Sequence, residues 1–458
     1  MTMQRRDALK TFCALAGAAG LPRLLSGCGA GPAGPGNIDT MVFLMMENRS
    51  YDHVLGARSM LEGAPGDGLT AAMSNPDRAG AAIAPWAATA SSMCVIDPPH
   101  GWEAARAQWA NGQNDGFVVA HQIAHGSTTA IEPMQYQVRA QQPVTWALAD
   151  AYTSCDRWFS AILGPTWPNR MYWHSASSGG LTENVFPDDG FDWPTIYHRL
   201  NDAGVDWTYY FSDLPALAAL SEGVADGHVK RVMYDFLDDA AAGRLAPVVY
   251  LDPAFDLNDD HPPHHPILGQ QFLAMVYQAL ATSPQWERCL LVVTYDEHGG
   301  FFDHVAPGTT VDERSADGFG QRGFRVPGLV IGPYARAGHL SSVVRDHTSP
   351  LRHLENVFGL ETLNSRTMAA TDLTDCIDLE RLAAGAPAAP IRLPAVEVDE
   401  SMIGGACMGG AFHHDVLAWG DAARLPPDLD RRRFGREYAH DIGEYLDRHG
   451  LGRVRRGR

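Results

Sequence analysis

The stretch MVFLMMENRSYDHVLG (residues 41–56) joins an apolar, strand-like run to an abrupt Glu-Asn pair. A second stretch with the same plan, LLVVTYDEHGGFFDHV (residues 290–305), places an Asp-Glu pair directly after its own apolar run. Each stretch then closes with Asp-His-Val. Continuously apolar, β-branched runs of this length are typical of strands buried on both faces of a parallel sheet.

The rest of the chain alternates between strand-like and helix-like segments. Further short apolar runs bounded by turn residues predict strands at residues 205–211, 247–251 and 326–331. Segments with helical periodicity lie at residues 194–204, 231–243 and 268–283. This alternation predicts an α/β fold, with a doubly wound, mostly parallel sheet and helices on both faces.

Composition limits the classes of protein that fit. The chain has 458 residues, of which 45% are hydrophobic and 19% charged, as in an ordinary globular protein. The net charge of −19 argues against nucleic acid as a partner, because an acidic surface repels phosphodiester backbones. Beyond the N-terminal segment, no apolar run reaches the roughly 18 residues that a membrane-spanning helix needs.

The N-terminus has the pattern of an export signal. Arg5 and Arg6 precede a short apolar stretch at residues 11–21. The sequence RRDALK resembles the twin-arginine translocation motif, with Ala8 in place of the usual large apolar residue. We therefore expect the twin-arginine export machinery to be a partner, and the protein to be periplasmic or at the cell surface.

The signal ends in LSGC (residues 25–28), which resembles a bacterial lipoprotein cleavage box. Residues 1–28 are therefore predicted to be a lipoprotein-type signal, with a membrane anchor attached to Cys28. A plain cleaved signal in which Cys28 is incidental is the alternative. Residues 29–37, which are rich in Gly and Pro, are predicted to be a tether.

The remaining boundaries follow from composition. A single large domain is predicted over residues 38–383. Residues 384–458 are predicted to be an extended linker followed by a C-terminal extension with a helix, and packing against the core is its expected role.

The cysteines beyond residue 28 form a sparse, odd-numbered set, at positions 94, 155, 289, 376 and 407. Such a set does not make a disulfide framework, although it allows one bridge, for example between Cys94 and Cys155.

The polar residues after the two opening strands are candidate metal ligands. Glu47 and Asn48 follow one strand, and Asp296 and Glu297 follow the other. Ligands of open α/β sheets gather at the carboxyl ends of strands, where carboxylate and amide oxygens would suit a divalent cation. Strand-end turns with solvated acids are the alternative for either pair alone. The two pairs together, with glycines at 299–300 that permit close backbone approach, favour a metal site.

A candidate nucleophile lies in ILGPTWPNRMYW (residues 162–173). Pro168 is expected in the first turn of a helix, which makes Thr166 or Trp167 the cap. A hydroxyl at a helix N-terminus is close to unpaired N–H groups that stabilise an alkoxide and bind phosphate. Threonine is also a common helix cap, so capping and nucleophilic roles both remain open for Thr166.

Histidines flanked by prolines form the third candidate set. His100 lies in DPPHGW, and His261, His264 and His265 lie in DDHPPHHP (residues 259–266). Proline neighbours present an imidazole rigidly, which suits a general acid or an oxyanion donor. A satisfied structural histidine and a surface loop with incidental metal affinity remain alternatives.

These motifs together resemble the bacterial phosphoesterase family. The resemblance rests on MENRSYDHVLG, GPTWPNR, DDHPP, TYDEHGGFFDHV and the segment at residues 323–360, which occur in the family's order and cover residues 38–362. The family contains secreted phospholipases C and acid phosphatases. The resemblance implies a fold related to that of alkaline phosphatase.

The resemblance also implies roles at the matched positions. The implied metal ligands are Glu47, Asn48, Asp296, Glu297 and the oxygen of Thr166. Thr166 is the implied nucleophile, and His100 and His261 are implied to act on the phosphate side. The metal is left open: oxygen ligands admit Ca, Mg or Mn, and a mixed histidine and carboxylate shell admits Zn or Fe.

The expected function is that of an exported, metal-dependent phosphoric-ester hydrolase. It would resemble phospholipase C and hydrolyse phosphate esters through a phosphothreonyl intermediate. A phospholipid head group is one phosphate ester that such an enzyme would accept. A phosphomonoesterase of the acid phosphatase type is the close alternative. A non-catalytic lipoprotein that binds metal or phosphate is the distant one.

Overall fold

The strands that begin the stretches at residues 41–56 and 290–305 lie side by side and parallel in a computed structural model of the chain. The structure describes residues 36–185, 193–213, 217, 228–403, 407 and 431–455. The predicted signal, Cys28 and most of the predicted tether lie outside these residues. Residues Pro35–Arg458 form one compact unit.

The strands of the described residues vary from two to seven residues in length. In chain order they are β1 (Thr40–Met46), β2 (Asn75–Pro76), β3 (Ala82–Ile83), β4 (Trp86–Ala87), β5 (Gln135–Tyr136), β6 (Thr153–Cys155), β7 (Trp207–Phe211), β8 (Val229–Arg231), β9 (Val248–Leu251), β10 (Cys289–Tyr295), β11 (Gly328–Ile331), β12 (His339–Ser341), β13 (Val396–Asp399) and β14 (Gly452–Arg455).

The helices surround the sheet and connect its strands. In chain order the described α-helices are α1 (Ala57–Glu62), α2 (Trp102–Trp109), α3 (Phe117–Ala124), α4 (Pro143–Ala151), α5 (Thr166–Ser175), α6 (Ile196–Asp202), α7 (Leu237–Ala241), α8 (Pro266–Ala281), α9 (Thr348–Phe358), α10 (Ser365–Ala369), α11 (Leu379–Ala383) and α12 (Arg431–Arg448). Single π-turns precede α1 and α7, at Asp52–Gly56 and Val232–Phe236. Short 3-10 turns lie at Ala110–Gly112, Glu132–Met134, Trp286–Arg288, Ser315–Asp317, Thr374–Cys376 and Glu400–Met402.

The central sheet confirms the predicted fold class. Within the described residues it has eight strands in the order β12-β6-β11-β10-β1-β9-β7-β8. Strand β11 runs antiparallel to both of its neighbours, and the other pairs are parallel. All side chains of β1, β9 and β10 are buried, which requires cover on both faces of the sheet. Burial on both faces of the sheet explains why these strands are continuously apolar in sequence.

The predicted helices form with small shifts at their ends. The segment at 268–283 is α8, which begins at Pro266 and ends at Ala281. Its side chains are buried almost all round, because α4 packs against one part of it and α12 and β13 against others. The helix predicted at 231–243 begins instead as a π-turn and becomes α-helical only over Leu237–Ala241.

The C-terminal segment packs against the core, as expected from its sequence. Helix α12 contacts α8, and β13 pairs in parallel with β14. The domain boundaries at residues 38 and 383 remain predictions. None of the described helices combines the length and the apolar composition needed to cross a membrane.

The disulfide differs from the pairing considered above. Cys94 is bonded to Cys407, and their Cα atoms are 5.0 Å apart. Cys155 is a free, buried cysteine of β6, so a Cys94–Cys155 bridge is wrong. Strand β6 lies inside the central sheet, where Cys155 serves as a small apolar side chain.

Candidate active site

The two opening motifs deliver their polar residues to one point. Strands β1 and β10 pair in a register that sets Met46 opposite Tyr295, so the two polar pairs begin side by side. The Asp296 N–H donates to the Met46 carbonyl at 3.1 Å, and the Asn48 N–H donates to Asp296 Oδ1 at 3.0 Å. Both predicted pairs are fully buried. The two pairs therefore lie side by side, as expected, and their joint role as a cation site stays a prediction.

The backbone turns sharply at this point, and the residue types allow it. Asn48 has φ = 56°, in the left-handed region that asparagine tolerates better than most residues. Gly299 has φ = 62°, and a Cβ on it would lie 2.1 Å from the Asn48 carbonyl oxygen. The close backbone approach predicted for the glycine pair is therefore present.

A buried arginine that none of the sequence motifs indicated lies between the acids. Arg170 Nε is 3.5 Å from Glu47 Oε1 and 3.4 Å from Asp296 Oδ2. Its Nη1 is 3.2 Å from Asp252 Oδ1. Arg170 follows Thr166 by about one turn of α5, so helical spacing was the available signal.

The acids of the site outnumber this one cation. Burial and the charge of Glu47 raise the pKa of Asp296 above its ordinary value. Burial and the adjacent Glu47 carboxylate also raise the pKa of Asp259 well above its ordinary range. Oxygen donors that are buried and mutually repulsive fit a divalent cation, which would compensate their charge.

The predicted ligand set is compatible with such a cation. The residues that would hold it are Glu47, Asn48, Thr166, Asp296 and Glu297, all of which are buried. Their oxygen atoms match the preference of Mg, Ca or Mn. Their roles as ligands remain predictions.

Thr166 does not cap its helix. Pro165 occupies the cap position of α5, and Thr166 is the first helical residue. Its hydroxyl donates instead to Asn48 Oδ1 at 3.5 Å, while the Trp167 N–H donates to Asn184 Oδ1 at 3.0 Å. The prediction that Thr166 or Trp167 is the cap is wrong, and the hydroxyl is directed into the site. Pro168 does lie in the first turn, as predicted.

His100 lies on the other side of Asn48. Its Nε2 is 3.2 Å from Asn48 Nδ2 and 3.9 Å from Glu297 Oε1, and its Nδ1 contacts the Pro98 carbonyl at 2.8 Å. Burial lowers the pKa of His100, but the charges of Glu297 and Asp97 outweigh it and raise the pKa to about 9.

His261 also reaches the site, next to His100. The two rings are 5.9 Å apart, and the ligand atoms of Asp97, His100 and His261 lie within 4.8 Å of one another. Asp97, His100 and His261 are therefore close enough to one another to share a metal ion. Its mixed ligands would suit Zn or Fe, and Asp97 was not predicted.

The other two histidines of the loop have separate contacts. His264 Nδ1 is 2.7 Å from Asp259 Oδ1. His265 caps α8, because its Nδ1 accepts the Ile267 N–H at 3.2 Å. His265 therefore has a structural role.

The two Asp-His-Val sequences lie together, in a network of their own. Asp52 Oδ2 is 2.6 Å from His304 Nδ1, and Arg325 contacts Asp303 at 2.9 Å and Asp52 at 3.1 Å. This network ties the two opening motifs to each other through Arg325. Their resemblance thus reflects a shared structural contact.

Comparison with known proteins now decides the family. Residues 38–361 match the sequence model of the Phosphoesterase family. The chain belongs to the phosphoesterase family. The match covers nearly the same residues as the resemblance found in the motifs.

Similar proteins of known name agree with this assignment. Phospholipase C A of Mycobacterium tuberculosis is 33% identical over 430 residues, covering 79% of this chain and 82% of that protein. Non-specific phospholipase C6 of Arabidopsis thaliana is 31% identical over 395 residues, covering 78% and 75%. With the family match, these relatives establish this phosphoesterase as a phosphoric ester hydrolase.

Solved structures resemble the chain only distantly. A protein of the alkaline phosphatase superfamily from Vibrio parahaemolyticus has a TM-score of 0.38 and 9% identity, covering 75% of this chain and 72% of that one. The phosphonate monoester hydrolase of Agrobacterium radiobacter has a TM-score of 0.35 and 10% identity, covering 74% and 77%. At these scores the likeness adds nothing to the family assignment.

Proposed function

We propose that this phosphoesterase is a metal-dependent, phospholipase C-like hydrolase that acts through a phosphothreonyl intermediate on Thr166. The observation that carries the proposal is the direction of the Thr166 hydroxyl. Thr166 is the first residue of α5 but does not cap that helix. Its hydroxyl donates to Asn48 Oδ1 at 3.5 Å, among the candidate metal ligands. A buried hydroxyl with this position has the geometry of a nucleophile.

The proposed reaction is a double displacement at phosphorus. A bound divalent cation would supply the charge that lowers the pKa of the Thr166 hydroxyl and polarises a phosphoryl oxygen. The Thr166 hydroxyl loses its proton to solvent, and its Oγ1 then forms a bond to phosphorus as the bond from phosphorus to the alcohol oxygen breaks. His100 or His261 donates a proton to the departing alkoxide. Water then attacks phosphorus, breaks the bond to Oγ1 and returns its proton to the histidine.

The surroundings of Thr166 leave room for an ester substrate. A cleft of about 560 Å³ opens beside the site, between His100, Trp102, Pro165 and Glu183. Pro165 directly precedes Thr166. The cleft supports a substrate whose phosphorus lies near Thr166 and whose alcohol extends outwards. The names of the relatives favour phospholipids as that substrate class.

Two chromogenic substrates test this proposal. Thr166→Ala and Asp296→Asn should each lower hydrolysis of p-nitrophenylphosphorylcholine by at least about 100-fold, because each removes part of the proposed reaction centre. Thr153→Ala is the matched control, since Thr153 is an equally buried threonine whose hydroxyl bonds to the Arg336 carbonyl. Wild-type activity in either site variant would refute the assignment.

The same assay separates the alternatives. A preference for p-nitrophenyl phosphate over p-nitrophenylphosphorylcholine would identify a phosphomonoesterase. Metal binding without turnover of either substrate would identify a non-catalytic binding protein.

We also propose that the protein is exported and anchored by a lipid on Cys28. The twin arginines and LSGC support this, and the Cys94–Cys407 disulfide is of a kind that persists in oxidising compartments. Labelling with a palmitate analogue should mark the wild-type protein and not the Cys28→Ala variant. Label that survives this substitution would exclude the anchor. Replacing Arg5 and Arg6 by lysine should block export, and unchanged export would exclude the twin-arginine route.

A further inference from the structure

A further carboxylate lies beside the predicted metal ligands. Asp259 follows β9, the neighbour of β1, and its carbonyl accepts the Glu47 N–H at 2.7 Å. Its side chain is fully buried. The backbone therefore places Asp259 beside Glu47, although about 210 residues separate them in sequence.

The two oxygens of Asp259 have different surroundings. Oδ1 accepts the His261 N–H at 2.9 Å and lies 2.7 Å from His264 Nδ1. Oδ2 receives no hydrogen bond from any described residue. The carboxyl group of Asp259 lies against that of Glu47. Two ionised carboxylates are both acceptors, so this buried contact is favourable only with a positive charge or a proton between them.

We propose that Asp259 is a further carboxylate ligand of the divalent cation held at Glu47, and that His264 is the positioning residue that orients it. The inference rests on the metal dependence of the proposed function. Metal-ligating carboxylates are commonly held by outer hydrogen-bond donors, and His264 supplies such a donor to Oδ1. Oδ2 is then left for the cation.

The neighbouring residues do not share this arrangement. Asp260 Oδ2 accepts the Tyr295 hydroxyl at 2.6 Å, and its carbonyl accepts Arg49 Nε at 2.8 Å. His265 caps α8. Asp260 and His265 therefore make contacts within the protein fold. Asp259 and His264 form a separate pair, in which the histidine holds the carboxylate.

An additional carboxylate has consequences for the choice of metal. It would add an anionic oxygen to the predicted set, which strengthens binding of a hard divalent cation. It also favours Mg, Mn or Ca over softer metals at this position.

Direct metal titration tests the ligand assignment without measuring turnover. Binding of Mn²⁺ to the full-length purified protein would be followed by the paramagnetic resonance signal of the free ion. We expect Asp259→Asn to weaken Mn²⁺ binding by about 10- to 100-fold, the range found when ligands or their supports are lost. Asp260→Asn is the matched control and should bind as wild type, since an asparagine oxygen can still accept the Tyr295 hydroxyl. Asn also tolerates the left-handed φ of 79° at position 260.

Two variants of His264 test its positioning role. His264→Ala should weaken Mn²⁺ binding by about 10-fold, because Asp259 loses its orienting donor. His264→Asn should restore most of the affinity, because its Nδ2 can donate from nearly the place of the imidazole Nδ1. Equal affinity in the alanine and wild-type proteins would overturn the role of His264.

The outcomes separate this inference from the proposed function. Wild-type affinity in Asp259→Asn would overturn the ligand assignment, even if its hydrolytic activity fell. An equal loss in Asp260→Asn would also overturn it, because the effect would then be general damage to the loop. Absence of Mn²⁺ binding by the wild-type protein would overturn it too. Full hydrolysis by Thr166→Ala would refute the proposed nucleophile and leave the titration result intact.

Discussion

Gly299 packs directly against Asn48, and a Cβ on Gly299 would lie 2.1 Å from the Asn48 carbonyl oxygen. This contact brings the two opening motifs together at the ends of β1 and β10. A side chain at position 299 would force the two turns apart. The site therefore depends on a residue that carries no chemistry of its own.

Gly299→Ala should lower the free energy of unfolding by about 2 kcal/mol or more, from backbone strain together with the steric clash. Gly63→Ala is the matched control, because Gly63 has a similar φ of 66° and open space around its Cβ position. It should cost only about 1 to 2 kcal/mol, from strain alone. Urea denaturation of both variants would measure the difference. Equal losses would show that the contact with Asn48 is unimportant.

Arg170→Met should destabilise the protein by about 3–5 kcal/mol, because it leaves buried carboxylates without their cationic partner. The loss should be larger in the presence of EDTA than with added Mn²⁺, since a bound cation would compensate the same carboxylates. Denaturation under both conditions would measure it. Arg322→Met removes an ion pair with the buried carboxylate of Asp346, a residue outside the candidate ligand set, and should show no dependence on metal. A metal-independent loss in Arg170→Met would contradict the shared electrostatic role.

Metal removal should abolish hydrolysis. Dialysis against EDTA should lower activity by at least about 100-fold, and added divalent cation should restore it. Restoration by Mg, Mn or Ca would favour the oxygen ligands at Glu47 and Asp296, and restoration by Zn alone would favour the group of Asp97, His100 and His261. Asp97→Asn should therefore change the metal preference only in the second case. Full activity in the presence of chelator would contradict metal dependence.

The general acid should be recognisable from the leaving group. Replacing the histidine that acts as general acid by glutamine should slow hydrolysis of a short-chain phosphatidylcholine by about 100-fold or more. It should slow hydrolysis of p-nitrophenylphosphorylcholine far less, because nitrophenolate departs without a proton. His100→Gln and His261→Gln would be compared on both substrates. Equal effects on the two substrates, in both variants, would exclude a general acid role for either histidine.

The His304 network should make stability depend on pH. Burial lowers the pKa of His304, but Asp52 and Asp303 outweigh it and raise the pKa to about 9. The folded protein thus binds a proton more tightly than the unfolded chain, so this stabilisation is complete below about pH 6.5 and lost as pH rises towards 9. Because the ring is partly exposed, we expect a loss of roughly 1 to 2 kcal/mol.

His304→Asn is the matched variant for that measurement. Its Nδ2 can keep the hydrogen bond to Asp52 without titrating, so its unfolding free energy should change less between pH 6.5 and 9. Urea denaturation across this range would be compared with wild type. Identical pH profiles for the two proteins would show that His304 does not contribute the dependence.

Several features of the fold could be predicted because they depend on neighbours in sequence. The strand at Thr40–Met46 could be foreseen, since six consecutive apolar residues at 41–46 before a polar pair leave little ambiguity. The convergence of Glu47 and Asp296 also followed, because parallel strands that lie adjacent deliver their ends to one edge.

Other features escaped the sequence because they depend on contacts across the chain. Arg170, Asp259 and Asp97 are ordinary polar residues of a helix and two loops until the fold brings them to the acids. The mistaken cap at Thr166 has a local cause: Pro165 already has the extended backbone that a cap needs. The threonine is thereby moved one position into the helix.

The sequence by itself determined the class of fold, the strand ends that carry acids and the family. These depend on apolar periodicity and on short motifs, which neighbouring residues specify. Only the tertiary structure decided which acids meet, that Arg170 lies between two of them and that the Asp-His-Val sequences bind Arg325 and not the site. Partner choice of this kind is set by packing between elements more than 100 residues apart, where burial makes each polar contact selective.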